Sequence, residues 1–150
     1  MSGAPNAQEH DEKMRPQPVA DESGLVWRPP DSAPFQLSGF WWHGQDRVYR
    51  RLPVSPVAPL PEAVDGLANA TAGGQVRFCS DSGRVAVRGE LAGRANMNHM
   101  PATGQCGFDL YVGPPGAVRY CNTTKYDHSQ TEYQIELFSQ PQGESRHFPR

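Results

Sequence analysis

Between Arg84 and Ala92 the chain alternates without a break, with Val85, Val87, Gly89 and Leu91 on one side and Arg84, Ala86, Arg88 and Glu90 on the other. A period of two puts successive side chains on opposite faces of an extended backbone, so this stretch reads as a strand with one buried and one wet face. Strands of that kind belong to antiparallel sheets, because parallel strands are covered on both faces. Helical periodicity offers no competing element. The 15 prolines and 15 glycines in 150 residues leave no long helical pattern and no heptad. Short strands joined by turns are what such a chain can build.

The remaining runs supply partners for this strand. Asp81-Ser82-Gly83 has turn chemistry and predicts a hairpin between Arg84–Ala92 and an earlier strand, Gln75 to Cys79, with Val76 and Phe78 inward. Phe35 to Trp42 is the first dense apolar stretch, broken at Gly39. Adjacent Trp41 and Trp42 must point to opposite faces of a strand, one toward the core and one toward a ligand or partner. Four prolines between Pro53 and Pro61 predict an extended connector, and Pro61 to Ala70 begins as a short helix.

Gly107 to Val112 alternates again, with Phe108, Leu110 and Val112 opposed to Gly107, Asp109 and Tyr111. Ala117 to Cys121 is a further strand with Val118 and Tyr120 inward. Asn122 to Thr131 is a polar loop, Glu132 to Phe138 another alternating run, and Arg146-His147-Phe148 the start of one more. The sum is an all-β chain, an antiparallel β-sandwich of jelly-roll type spanning residues 25–150. Residues 1–24, acid-rich and nearly without large apolar side chains, read as a disordered tail.

Composition excludes several functions. A net charge of −2 without a basic stripe gives no footprint for nucleic acid, and no apolar run approaches the ~18 residues of a membrane span. The polar N-terminus lacks the apolar core of a signal peptide, which points to the cytoplasm. Cys79, Cys106 and Cys121 are odd in number and unpaired by spacing, so they read as thiols in or beside the core, with no metal site and no cofactor implied. Asp127-His128-Ser129 puts the letters of a catalytic triad side by side, but a triad is defined by geometry, and this reads as a loop.

One stretch stands apart. Asn96-Met97-Asn98-His99-Met100-Pro101-Ala102-Thr103-Gly104 runs into Gly107-Phe108-Asp109-Leu110-Tyr111. Loop and motif in this order resemble the N-terminal domain, with its Gly-x-Asp-Leu-Tyr signature, that precedes SGNH/GDSL-type esterase domains. The segment Tyr49-Arg50-Arg51-Leu52-Pro53 after the aromatic-rich stretch is similar as well.

The resemblance implies a β-sandwich whose partner is an SGNH catalytic domain. The esterase nucleophile lies in that following domain, beginning with a Gly-Asp-Ser block that this chain does not contain, so no catalytic residue is expected here. The family's last sandwich strand is cut short near Phe148, which leaves an open sheet edge and a route to self-association. By the same resemblance the full enzyme cleaves esters, acetyl groups on carbohydrate among them. Met97, His99, Met100 and Trp42 are expected at the domain interface or cleft, and Gly107, Asp109, Leu110 and Tyr111 form the structural motif, Asp109 fixing the methionine loop. The competing reading is a stand-alone carbohydrate-binding module that stacks a sugar on Trp41 or Trp42.

Overall fold

The computed structural model describes residues 21–140. In chain order these form β1 (Gln36–Ser38), α1 (His43–Asp46), α2 (Glu62–Leu67), β2 (Gln75–Arg77), β3 (Arg84–Glu90), α3 (Ala102–Cys106), β4 (Asp109–Val112), β5 (Arg119–Thr123) and β6 (Glu132–Ser139). The class is all-β and sandwich-like, and every sheet is antiparallel. The sheets are small: three two-stranded ladders, β1–β2, β3–β6 and β4–β5.

β3 and β6 are the two longest strands, and they find each other across the sequence because both alternate. Val87 lies opposite Ile135 and Gly89 opposite Tyr133, so the apolar positions of the two strands share one face. Gly89 has a packing reason. A Cβ there would come within 2.6 Å of the Tyr133 ring, which lies over the bare backbone. Tyr133 and Leu137 are buried in consequence, and with Ala68 they are the buried hydrophobic side chains among the described residues. Such a thin core leaves much apolar surface in water.

This pairing corrects the expected hairpin. β2 pairs with β1, Leu37 opposite Val76, and β3 pairs with β6. Ser82 redirects the chain between them: its N–H donates to the Ser80 hydroxyl (3.0 Å), and its own hydroxyl donates to the Arg84 carbonyl (2.8 Å). Local hydroxyl bonds of this kind compete with ladder formation. Val76 and Phe78, expected inward, are exposed, and Phe78 packs edge-on against Phe35 at 5.0 Å.

Two bulges join the other two ladders. The β3–β6 register slips past Leu137, and the β4–β5 register slips past Cys121. A bulge leaves a residue outside the ladder with its carbonyl in need of a donor. The Asn122 side chain, next to one bulge, donates to the Leu137 carbonyl in the other at 3.0 Å. The slip at Cys121 also inverts the phase of β5, so Tyr120 and Val118, expected inward, are exposed. Cys121 and Cys79 are exposed too, whereas Cys106 is half-buried. Asn122→Ala should therefore cost about 1–2 kcal/mol, the penalty of stranding a part-buried carbonyl. Asn122→Asp should cost no less, since a carboxylate cannot donate. Equal denaturant midpoints for parent and alanine variant would show that the bulges do not depend on this bond.

Of the tail expected over residues 1–24, residues 1–20 lie outside the described residues, as does the strand expected at Arg146–Phe148. Residues 21–24 are a turn. The Asp21 carboxylate accepts from the N–H groups of Ser23 (2.9 Å) and Leu25 (3.1 Å) and from the Trp27 indole (2.5 Å). These donors, with the Ser23 hydroxyl first and the Trp27 indole next, hold its carboxyl well below the usual carboxylate range. The Trp27 ring carries the Arg88 guanidinium at 4.1 Å, and Arg84 donates to the Ser23 carbonyl at 2.7 Å, so this segment is strapped to β3.

Candidate functional site

The sequence motif and its preceding loop form one built unit around α3. Gln105, on this helix, reaches back along the chain. Its Oε1 accepts the Met97 N–H at 3.0 Å, and its Nε2 donates to the carbonyls of Met97 (3.2 Å) and Met100 (2.6 Å). One side chain thus closes the loop into a fixed turn with His99 near its tip. Backbone satisfaction by a side chain is what lets an irregular segment hold a single shape. Met97, His99 and Met100 are all exposed on it.

The helix under this turn is seated on two tyrosines. Tyr126 donates its hydroxyl to the Ala102 carbonyl (3.1 Å) and Tyr133 to the Cys106 carbonyl (2.8 Å), so both ends of α3 are held. The two rings stack at 4.5 Å. Burial is the first cause that raises the Tyr126 hydroxyl above its ordinary range, and likewise the Tyr133 hydroxyl, which is pushed up to about 12. Both remain protonated donors at neutral pH.

The motif follows directly. Gly107 ends α3, its N–H donating to the Thr103 carbonyl at 3.0 Å. A side chain there would collide with that same carbonyl and with the Thr124 hydroxyl. Thr124 is fully buried. Its hydroxyl accepts the Phe108 N–H (2.9 Å), and its own N–H donates to the Phe108 carbonyl (2.9 Å). β4 then carries Leu110 and Val112 half-buried on one side, with Asp109 and Tyr111 exposed on the other.

The chain joins Met97, His99, Met100, Gly107 and the rest of the motif in one unit around α3, and Trp42 lies on another element. It is half-buried at the start of α1, and no hydrogen bond or ring contact among the described residues joins it to the turn. Its neighbour Trp41 is 87% exposed. The bracing residue is Gln105, and Asp109 makes no hydrogen bond to the loop. Gln105 carries no periodic signal in the sequence. Only its position one helical turn behind a folded-back loop gives it that task.

His43 and Asp127 have structural partners of their own. His43 is buried and stacks on Tyr49 at 4.7 Å. Asp127 accepts the Ser129 N–H at 2.9 Å, the chief cause that lowers its carboxyl, so Asp127-His128-Ser129 is a hydrogen-bonded turn. Among the described residues no three His, Cys, Asp or Glu side chains gather as metal ligands would, and no helix is long and apolar enough to cross a membrane.

Comparison with known proteins agrees with this picture of a motif-bearing unit. The family model described as "GxDLY: N-terminus of Esterase_SGNH_hydro-type" matches residues 25–149. No curated protein and no solved structure matches the chain. The matched range contains every element described above, including the turn, α3 and the motif strand. This chain belongs to the GxDLY family, the N-terminus of SGNH-hydrolase-type esterases.

Proposed function

We propose that this domain is a non-catalytic accessory domain that packs on an SGNH/GDSL-type catalytic domain and shapes its cleft. The observation that carries the reading is the Gln105 clamp, which fixes the turn bearing Met97, His99 and Met100, the two methionines 43% and 38% exposed on it. Exposing two methionines in a set geometry costs solvation unless something covers them, and methionine adapts well to a partner's surface. The thin core is in keeping with a unit that completes its apolar cover on a neighbour. The full enzyme acts on carbohydrate acetyl esters in the cytoplasm. Without its catalytic domain the chain pairs with a second copy through the open edges of its two-stranded sheets.

The test titrates a separately expressed SGNH-type catalytic domain of this family with the chain, following binding by NMR. The double variant His99→Ala/Met100→Ala should bind about tenfold more weakly, as loss of an interface anchor does, with an unchanged melting temperature. A folded double variant that binds like the parent would refute docking through the turn. The exposure of Trp41 favours one competing reading, a carbohydrate-binding module. That reading gains if xylo-oligosaccharides bind the isolated chain and Trp41→Ala removes the binding.

A further inference from the structure

Four residues give the family motif its letters, and the fold accounts for two of them. Gly107 is required by the close approach of Thr103 and Thr124, and Leu110 turns its side chain inward. Asp109 and Tyr111 have no such role. Both are exposed, and neither side chain makes a hydrogen bond or ion pair among the described residues.

What Tyr111 does touch is Tyr120, directly across the ladder, with ring centroids 5.9 Å apart at 76°. Tyr120 reaches this face only because the register slips past Cys121, and it is 57% exposed itself. The start of the strand is anchored through Phe108 to the buried Thr124. Asp109, two positions before Tyr111 on the same strand face, is thus an exposed carboxylate with no partner among the described residues.

Tyrosine rings present large contact area at a small entropic cost, which suits them to interfaces. Whatever covers these rings also takes water from Asp109. A carboxylate desolvated without a partner is costly, so the covering surface must bring a cation. Arginine suits the place best, since its planar fork binds a carboxylate and stacks on an aromatic face.

We infer that the outer face of the β4–β5 ladder, with Asp109, Tyr111 and Tyr120, is a second arm of the docking surface for the SGNH-type catalytic domain, which meets Asp109 with an arginine. This rests on the accessory-domain reading above and adds the face, the charge and the partner's chemistry. The same titration with the same catalytic domain tests it, now at low and at high salt. Asp109→Lys should weaken binding about tenfold or more at low salt and reverse the salt dependence, because rim charges steer association. Tyr111→Ala and Tyr120→Ala should each weaken it about tenfold. All three positions are exposed, so Asp109→Lys should melt like the parent, and the tyrosine variants, which lose their cross-strand ring pair, should melt within about 5 °C of it.

If Asp109→Lys binds as tightly as the parent while His99→Ala/Met100→Ala binds weakly, this inference is overturned and the accessory role stands. If the parent itself does not bind the catalytic domain, the accessory reading fails and takes the inference with it. Should Asp109→Lys change only the chain's own dimerisation, seen by sedimentation, the face is a contact between copies and the inference is wrong.

Discussion

Replacing Tyr133 by alanine is expected to cost about 3–5 kcal/mol, in the range of buried aromatic truncations. Three separate losses converge on this residue. Its ring fills the space above Gly89 in the β3–β6 ladder, stacks on Tyr126 at 4.5 Å and donates through its hydroxyl to the Cys106 carbonyl at 2.8 Å. Tyr133→Phe keeps the ring and loses only the hydrogen bond, so it should cost about 1–2 kcal/mol.

The pH dependence follows with its sign. An unfolded tyrosine ionises near ~10. In the folded chain the Tyr133 hydroxyl is pushed up to about 12, by burial first and then by Tyr126. The native state therefore holds this proton more tightly. The stabilisation is complete below the unfolded value and drains away as pH rises toward the folded one. Urea midpoints measured from neutral pH into that alkaline window should fall for the parent and fall less for Tyr133→Phe. Parallel losses in the two would show that another group governs the alkaline transition.

Gly107→Val should be the second most damaging change, about 3 kcal/mol, the upper end of overpacking costs. The first atom of any side chain meets the Thr103 carbonyl and the Thr124 hydroxyl, so either α3 or the Thr124 anchor must move. Both hold the site. Movement of α3 displaces Gln105 and frees the Met97–Met100 turn, whereas movement of Thr124 breaks its bonds to Phe108. Amide exchange at Met97 and Phe108 should accelerate together in this variant. A variant that melts like the parent with both amides still protected would mean that the glycine is not a packing requirement.

The alternating residues of β3, β4 and β6 make the all-β class, the strand positions and the inward side of Leu110 legible in the sequence alone. The motif and loop make the family legible as well. Partner choice is not. Arg84–Glu90 is patterned to pair with its neighbour in sequence, but its alternation matches β6 equally, and a local pattern carries no information about which edge lies near. Alternation places Tyr120 and Val118 inward because it assumes an unbroken register, and the slip at Cys121 reverses it. Gln105 gives no sign at all, since a lone polar residue in a short helix has no period.

By itself, then, the sequence determined the alternating strands β3, β4 and β6, set by side-chain period, and the family, carried by a contiguous motif; the short helices α1 and α3 carry no such period. Tertiary structure alone decided which strands pair, which tyrosines face out and which side chain braces the methionine turn. The physical reason is that strand pairing, bulges and side-chain-to-backbone bonds are contacts between residues far apart in the chain. Their geometry is selected by packing the whole domain at once.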